Sequence, residues 1–145
     1  MAAHRLGVLK GDGIGPEIVE ATLKVLEAAQ QWDSRLRFEW VPLPMGWEAI
    51  RTTGNALPES SIGALQQCDA WILGPHDSVS YPPALRDTLN PSGVLRKRFD
   101  LYANIRPARA YPGLRAVCPK MDLVIARENT EGFYADRNMA WGIGE

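Results

Sequence analysis

A glycine-rich turn between a short apolar run and an amphipathic segment constrains this chain most. Residues 6–10 are mostly apolar and lead into G-D-G-I-G, after which Pro16 stands at the first position of a predicted helix. Apolar or small side chains then recur at helical spacing up to Ala29, and Glu17 lies in the first turn, where the helix dipole favours an acid. A strand, a tight turn and a helix in this order predict the opening unit of an α/β fold.

The glycine turn itself has two interpretations. The dinucleotide fingerprint is G-x-G-x-x-G with a later acidic residue, whereas Gly11, Gly13 and Gly15 follow a G-x-G-x-G pattern. The lysine and hydroxyl pair of a P-loop does not follow it either. A tight strand-to-helix turn is therefore at least as good an interpretation as a phosphate site, and both stay open.

The rest of the pattern continues the α/β alternation. Strands are predicted over residues 38–43, 70–73, 101–105 and 123–126, helices over 45–53, 58–68 and 94–99, and an irregular, partly helical stretch over 78–92. The strand at 70–73 ends in the loop Gly-Pro-His-Asp at 74–77. Because ligands gather beyond the carboxyl ends of strands in open α/β sheets, the loops at 11–15 and 74–77 are expected to border one crevice.

Composition excludes several classes of function. The chain has 145 residues and a net charge of −1, so it can bury a core but has no basic field for nucleic acid or an anionic membrane. No stretch approaches the roughly 18 consecutive apolar residues of a membrane-spanning helix. Cys68 and Cys118 lie in apolar sequence without metal-ligand spacing, so two buried, reduced thiols and a cytoplasmic location are expected.

Three arginines and a tyrosine stand out in the second half of the chain: Arg96, Arg106, Arg127 and Tyr134. Arg106 and Arg127 each follow an apolar run that predicts a strand, and a cation buried there is costly unless it meets an anion. Guanidinium groups suit carboxylates because two parallel N–H bonds match two oxygens. Three of them near one point would bind a small polycarboxylate.

Plainer interpretations exist for the same residues. Each arginine can instead pair with a nearby acid, and Asp100, Glu128 and Glu131 are the candidates. Asn90 and Ser92 lie six and four residues before Arg96, where either can cap the helix that follows or reach a ligand held by the arginine. The residues alone leave these alternatives open.

Three segments together resemble the β-decarboxylating dehydrogenases, which include the isocitrate, 3-isopropylmalate, homoisocitrate and tartrate/D-malate dehydrogenases. They are KGDGIGPE, NPSGVLRKRFDLYANIRP and VIARENTEGFY, and the resemblance covers nearly the whole chain in order. The ten residues from Arg96 to Arg106 and the seven from Arg127 to Tyr134 match the family spacing. The resemblance implies an α/β, three-layer isocitrate/isopropylmalate dehydrogenase-like fold, here incomplete.

The resemblance also implies roles for the arginines and the tyrosine. Arg96, Arg106 and Arg127 match the family's clamp on the malate carboxylates. Tyr134 matches the general acid that protonates the enolate carbon after CO2 leaves. A phenol with a pKa near 10 needs a neighbouring cation or hydrogen bond to serve as an acid at neutral pH.

Five further positions correspond to binding residues of the family. Asn90 and Ser92 fall where members recognise the variable substituent of the substrate. Ile14, Gly74 and Pro75 fall at contacts on the nicotinamide side of the cofactor. The adenine and phosphate pocket of the family comes mostly from its carboxyl-terminal half, which agrees with the doubt about the glycine turn.

The implied reaction uses NAD or NADP and Mg2+ or Mn2+, with a small dicarboxylate as substrate and a homodimer as the full-length assembly. The metal-binding aspartates, the catalytic lysine and the adenine loop of the family fall after the region that this sequence covers. We therefore expect an amino-terminal portion of such an enzyme, inactive alone. Residues 1–98 would belong to the large cofactor-side domain and residues 99–145 would begin the second, substrate and dimerisation domain.

Two alternatives to an enzyme remain at this point. One is a non-catalytic regulatory subunit that keeps the fold, and the other is a carboxylate-binding module. The presence of Tyr134 beside all three arginines argues against a regulatory copy, because such a copy needs no acid.

Overall fold

The computed structural model describes residues 3–86 and 90–130 and divides the chain into two compact units. Unit 1 is Met1–Ser92 and unit 2 is Gly93–Glu145. The division falls earlier than the boundary predicted after residue 98, inside a helix that runs from Pro91 to Arg98. The assignment of the two units to a cofactor-side and a second domain stays a prediction.

Unit 1 alternates strands and helices, as the opening pattern predicts. Its elements are β1 (His4–Leu9), α1 (Gly15–Trp32), β2 (Phe38–Pro42), α2 (Trp47–Thr53), α3 (Glu59–Leu65), β3 (Ala70–Leu73) and α4 (Pro83–Arg86). The strands form a parallel sheet in the order β2-β1-β3, with Leu6 opposite both Trp40 and Ala70. Since β1 is central, its carboxyl end lies beside that of β3, and the two glycine-containing loops start from neighbouring points.

The core of unit 1 is built from β1 and the helices that follow it. Its most deeply buried apolar side chains are Val8, Leu9, Val19, Met45, Ala49, Leu57, Ile62 and Leu65. The face predicted for α1 is only partly buried, because Val19 is 2% exposed whereas Ile18 is 43% and Val25 is 69% exposed. The buried face of α1 is therefore narrower than the apolar face that helical spacing predicts.

Helix α2 shows how glycines set element boundaries. It begins at Trp47 rather than at the predicted residue 45, because Gly46 has φ of 70°, a left-handed value that a helix cannot contain. It ends where Gly54, with φ of 75°, donates its backbone N–H to the Ile50 carbonyl.

Unit 2 contains most of α5 (Pro91–Arg98) and an antiparallel pair, β4 (Ala103–Arg109) and β5 (Asp122–Glu128). The strands are longer than the predicted 101–105 and 123–126, because pairing extends from Ala103 opposite Glu128 to Arg109 opposite Asp122. Arg106 therefore lies in the middle of β4 and not at its end.

The end of α5 explains why β4 starts late. Asp100 has φ of 46°, its N–H donates to Lys97, and the Leu101 N–H donates to the Arg96 carbonyl at 3.0 Å. These two bonds form a Schellman motif with a non-glycine residue in the left-handed position. Leu101 is thus committed to the helix end.

The cysteines differ from their expected burial. Cys68 is half-buried, with its thiol 3.4 Å from the Ala64 carbonyl oxygen, and Cys118 is exposed. Both are free thiols. The expectation of two buried thiols was wrong for Cys118, because the connection between β4 and β5 leaves it at the surface.

Candidate functional site

The loop after β1 and the loop after β3 are joined directly through their backbones. The Asp12 N–H donates to the Pro75 carbonyl at 2.8 Å, and the Gly74 N–H donates to the Leu9 carbonyl at 2.8 Å. A β-carbon added at Gly11 would lie 2.0 Å from the Pro75 carbonyl oxygen, and one at Gly74 would lie 2.0 Å from the Lys10 carbonyl oxygen. The glycines therefore allow close backbone packing of the two loops, and the expectation that both border one crevice stays a prediction.

The same contacts bear on the phosphate interpretation of the glycine turn. Two of its amides are used internally, since Asp12 donates to Pro75 and Gly15 donates to the Asp12 carbonyl at 2.8 Å. A phosphate cradle needs several backbone N–H groups directed at one ligand. This arrangement favours the tight-turn interpretation.

Asp12 is a buried carboxylate that joins the glycine turn, α2 and the segment after β3. Its side chain accepts hydrogen bonds from the Trp47 N–H at 2.7 Å, the Asp77 N–H at 3.0 Å and the Tyr81 hydroxyl at 2.5 Å. Burial, with the Asp12 carboxylate as second cause, raises the pKa of Tyr81 above its ordinary value, so its hydroxyl stays a donor. Three donors satisfy the carboxylate, which gives Asp12 a structural role.

A cleft of about 410 Å3 opens beside this carboxylate. Its walls come from the glycine turn and from α2, namely Lys10, Gly11, Asp12, Gly13, Pro16, Trp47, Glu48 and Arg51. Ile14 occupies the position before α1 with its side chain 60% exposed. Gly74 is buried and Pro75 is exposed, and both contact the loop that leads to Ile14.

A chain of side-chain hydrogen bonds links the 74–77 loop to the start of α5. His76 Nε2 lies 3.1 Å from Ser92 Oγ, and the Ser92 hydroxyl donates to Asn90 Oδ1 at 3.0 Å. Asn90 stands immediately before the first residue of α5, and Ser92 lies in its first turn. The two residues predicted to contact the substrate substituent are therefore brought together, with His76 as an unforeseen third member.

Arg106 and Arg127 lie on one face of the β4–β5 pair. Asn104 is directly opposite Arg127, and Arg106 is two residues further along the same strand, so alternation places all three side chains on the same side. Diagonal neighbours of this kind are about 7–8 Å apart. Arg106 Nε donates to Asn104 Oδ1 at 3.0 Å, which makes Asn104 part of the cluster.

The acidic side chains considered as partners of the arginines are Asp100, Glu128 and Glu131, and the structure describes the first two. Within residues 3–86 and 90–130, neither Arg106 nor Asp100 forms an ion pair. Glu128 Oε1 accepts the backbone N–H groups of the two residues that follow it, at 2.7 and 2.8 Å. Glu131 lies outside the described residues. Among the described residues, Arg106 therefore has no ion pair with Asp100 or Glu128, and pairing with Glu131 stays untested.

Of the two remaining predicted site residues, one is described by the structure and the other is not. Arg96 is half-buried in the last turn of α5, where it also complements the helix dipole together with Lys97 and Arg98. Tyr134 lies outside the described residues, so its role stays a prediction.

Four residues of these clusters were missed from the sequence: Asp12, Tyr81, His76 and Asn104. For Asp12 a signal existed, since an acid between two glycines at the end of a buried strand needs several donors. Asn104 also had a signal, because it precedes Arg106 by two residues, the period of one strand face. Nothing local marks Tyr81 or His76, whose partners lie 69 and 16 residues away along the chain.

Metal and membrane features were also sought in residues 3–86 and 90–130. No group of three or more His, Cys, Asp or Glu side chains there is arranged to hold a metal ion. Of the helices in that part of the chain, none has the length and apolar character needed to cross a bilayer.

Comparison with known proteins gives a consistent result. Residues 5–142 match a family model described as isocitrate/isopropylmalate dehydrogenase. A 3-isopropylmalate/3-methylmalate dehydrogenase of Methanocaldococcus jannaschii is 42% identical over 90% of this chain and 35% of its own length. An isocitrate/homoisocitrate dehydrogenase of Thermus thermophilus is 39% identical over 93% of this chain and 38% of its own length.

A solved structure agrees at the level of the fold. The isocitrate dehydrogenase of Methylococcus capsulatus superimposes with a TM-score of 0.76 and 32% identity, covering 91% of this chain and 36% of that one. The expected α/β fold is confirmed, and the chain spans little more than a third of the length of these relatives. The resemblance in the three sequence segments was correct, and this chain belongs to the isocitrate/isopropylmalate dehydrogenase family.

Proposed function

We propose that this chain supplies the amino-terminal portion of a metal- and NAD(P)-dependent oxidative decarboxylase of a malate-type 2-hydroxy acid. One observation carries the proposal: Arg106 and Arg127 share a face of the β4–β5 pair, and Arg106 meets an amide there, not an acid. Cations placed side by side favour a ligand with more than one negative charge. A small dicarboxylate has that charge and fits two guanidinium groups.

The names of the relatives support the same reaction class. They are dehydrogenases of isocitrate, homoisocitrate, 3-isopropylmalate and 3-methylmalate, all malate-type acids with a carboxylate beside the hydroxyl-bearing carbon. Arg96, Arg106 and Arg127 hold the carboxylates of such a substrate, and Asn104 orients Arg106 through its hydrogen bond. Guanidinium groups do this at any physiological pH because they do not titrate.

The chemistry follows from that binding mode. A nicotinamide bound beside Ile14, Gly74 and Pro75 would supply hydride acceptance, and a divalent Mg2+ or Mn2+ ion held by residues beyond those described would supply Lewis-acid polarisation for the decarboxylation. The arginine clamp keeps the substrate carboxylates in one orientation throughout. Tyr134 then donates its proton to the carbon that lost the carboxylate.

The described residues fit the nicotinamide side of a cofactor better than its phosphates. Ile14 offers an exposed apolar side chain, and the backbone at Gly74 and Pro75 adjoins its loop. The internal bonds of the glycine turn leave phosphate binding to residues beyond those described. Metal ligands likewise come from outside them, and we propose a cytoplasmic homodimer for the full-length protein.

A matched pair of substitutions in β4 tests the proposal in the full-length protein. Arg106→Ala removes a charged hydrogen-bond donor to a carboxylate, worth about 1.5–3 kcal/mol, so KM for the preferred malate homologue should rise roughly tenfold to a hundredfold. Arg109 lies on the opposite face of β4, paired with Asp122 at 3.6 Å, so Arg109→Ala should leave KM within about twofold.

The assay is steady-state NAD(P) reduction with Mn2+ and a panel of malate homologues. Equal KM values for the Arg106→Ala protein and the unsubstituted protein would remove Arg106 from the substrate site. Tight binding of a dicarboxylate without any turnover would favour the regulatory alternative over the enzyme.

A further inference from the structure

The loops after β1 and β3 are bonded to each other by both the main chain and the side chain of Asp12. Its N–H donates to the Pro75 carbonyl at 2.8 Å, and its Oδ2 accepts the Asp77 N–H at 3.0 Å. Asp12 therefore holds the 74–77 loop at two points on either side of one residue. The relative position of the two loops depends on the orientation of the Asp12 carboxylate.

That orientation is set by donors from two other segments of unit 1. The Trp47 N–H donates to Oδ1 at 2.7 Å, and the Tyr81 hydroxyl donates to Oδ2 at 2.5 Å. Gly46 packs against the same carboxylate so closely that a β-carbon there would lie 2.2 Å from Oδ1. Two of the three donors to the carboxylate are backbone amides, so Tyr81 supplies the single side-chain donor.

The ring of Tyr81 is held independently of its hydroxyl group. The side chain is 1% exposed, and its ring meets the Trp47 indole edge to face, with 5.6 Å between the centroids and 89° between the planes. Such a contact persists when tyrosine is replaced by phenylalanine. Tyr81→Phe therefore removes the hydrogen bond to Asp12 and leaves the packing in place.

We propose that Tyr81 is a positioning residue that acts through Asp12 to hold the glycine turn and the 74–77 loop in the arrangement that receives a nicotinamide ring. The inference rests on the proposed function, in which Ile14, Gly74 and Pro75 lie on the nicotinamide side of the cofactor. Tyr81 is buried and presents almost no surface to a ligand, so its effect on the cofactor is exerted through these loops.

Loss of the hydroxyl group should weaken the pairing of the two loops without abolishing it. Oδ2 keeps the Asp77 N–H but loses a donor inside a buried site, so the arrangement shown here is less strongly favoured over others. The apparent affinity for a ligand falls with the fraction of molecules in the competent arrangement. The arginines proposed for the dicarboxylate belong to unit 2, so binding of that substrate should change little.

Calorimetric binding of NAD+ and of ADP-ribose to the full-length protein tests the inference. ADP-ribose keeps the adenine, the pyrophosphate and both riboses but lacks the nicotinamide. In Tyr81→Phe we expect the Kd for NAD+ to rise about threefold to tenfold and the Kd for ADP-ribose to change less than about twofold. A protein that prefers NADP+ is tested with NADP+ and 2′-phospho-ADP-ribose.

Ser61→Ala is the matched control, because it also removes one buried hydroxyl group from unit 1. Ser61 is 1% exposed and donates to the Pro44 carbonyl at 3.0 Å, outside both loops. Its Kd values for the two ligands should stay within about twofold of the unsubstituted protein.

The outcomes separate the inference from the proposed function. Equal weakening of both ligands in Tyr81→Phe, no weakening of either, or the same selective loss in Ser61→Ala overturns the positioning role and leaves the proposed function standing. An unsubstituted protein that binds neither NAD+ nor NADP+ overturns both.

Hydrogen exchange of the protein without cofactor provides a second measurement. The Asp77 amide, which donates to Asp12, should exchange roughly threefold faster or more in Tyr81→Phe and at an unchanged rate in Ser61→Ala. An unchanged Asp77 rate in Tyr81→Phe would show that the loop does not depend on Tyr81, and it would overturn the inference even if NAD+ bound more weakly.

Discussion

The polar clusters of the two units differ in how fully their charges are satisfied. In unit 1 the Asp12 carboxylate is buried and accepts three hydrogen bonds, which join the glycine turn, α2 and the segment after β3. In unit 2 the Arg106 guanidinium lies on an exposed strand and donates a hydrogen bond to a neutral amide, that of Asn104. Each cluster contains a formal charge, and the clusters differ in how completely the hydrogen bonds of that charge are made within the described residues.

This difference distinguishes a charge that is satisfied within the fold from one that can still gain from a nearby anion. A charge whose hydrogen bonds are complete holds the fold together and has little left to offer a substrate. A cation that faces a second cation and a neutral amide still gains from an anion. The three hydrogen bonds of Asp12 therefore favour a structural role, and the surroundings of Arg106 support the substrate-binding role proposed for it.

The two units also differ in packing. Around β1 the sheet is covered by Val19, Ala49 and Leu65, each 2% exposed or less. On the β4–β5 pair, Ile105 is 58% and Val124 is 63% exposed. Because an isolated two-stranded pair is only marginally stable in water, unit 2 should open more readily than unit 1.

The largest expected effect is the loss of the Asp12 carboxylate. Asp12→Ala leaves two backbone N–H groups and the Tyr81 hydroxyl buried without their acceptor, so the free energy of unfolding should fall by about 3 kcal/mol or more. Urea unfolding measures it. Hydrogen exchange should show faster exchange in β1 and β3 with little change in β4 and β5.

Asp69 provides the matched control for that substitution. Its carboxylate is exposed and accepts one backbone N–H, that of Arg5 at 2.8 Å. Asp69→Ala should lower the free energy of unfolding by less than about 1 kcal/mol. Equal losses for the two variants would show that Asp12 is no more structural than a surface acid, and the comparison of the two clusters would fail.

A smaller effect is expected from the Tyr81 hydroxyl. Tyr81→Phe keeps the edge-to-face contact with Trp47, at 5.6 Å between ring centroids, but removes one bond to the Asp12 carboxylate. The free energy of unfolding should fall by about 2 kcal/mol near neutral pH. Chemical unfolding at several pH values measures it.

The pH dependence of that loss has a defined sign. Folding raises the pKa of Tyr81 above its ordinary value of about 10, so the stabilisation is fully present below pH 10. Above pH 10 the unfolded chain releases the tyrosine proton first, and the gap between the unsubstituted protein and Tyr81→Phe should narrow. A gap that widens with alkalinity would contradict the assigned hydrogen bond.

The smallest expected effect on the free energy of unfolding comes from a residue of unit 2, Asp100, chiefly through its backbone conformation. Asp100 holds a left-handed conformation, φ 46°, at the end of α5, and its charge lies at the negative end of the helix dipole. Asp100→Gly should raise the free energy of unfolding by about 0.5–1 kcal/mol. Thermal unfolding measures the change, and a lower midpoint would show that the Asp100 side chain has a compensating contact.

Local chemistry in the sequence was sufficient for most element positions in unit 1. The bounds of β3 were predicted correctly, and β1, α1 and β2 agree with prediction to within two residues, because glycine and proline limit the backbone wherever they occur. The same rules placed the loops after β1 and β3. The strands of unit 2 were predicted too short, since their length depends on pairing between β4 and β5 and not on either segment alone.

The candidate site shows the same division. Arg96, Arg106 and Arg127 were identified by residue type and spacing, yet only strand register puts Arg106, Asn104 and Arg127 on one face. His76 and Tyr81 carried no local signal, since each acquires its role from a partner brought near by the fold.

The sequence by itself determined the family, the order of strands and helices in unit 1 and the arginines that suit a carboxylate, because these depend on residue type and short-range spacing. Tertiary structure alone decided which charges are satisfied. Asp12 meets three donors and Arg106 meets none of its neighbouring acids within the described residues. Hydrogen bonds are short and directional, so their partners are fixed only when distant segments come within about 3 Å of one another.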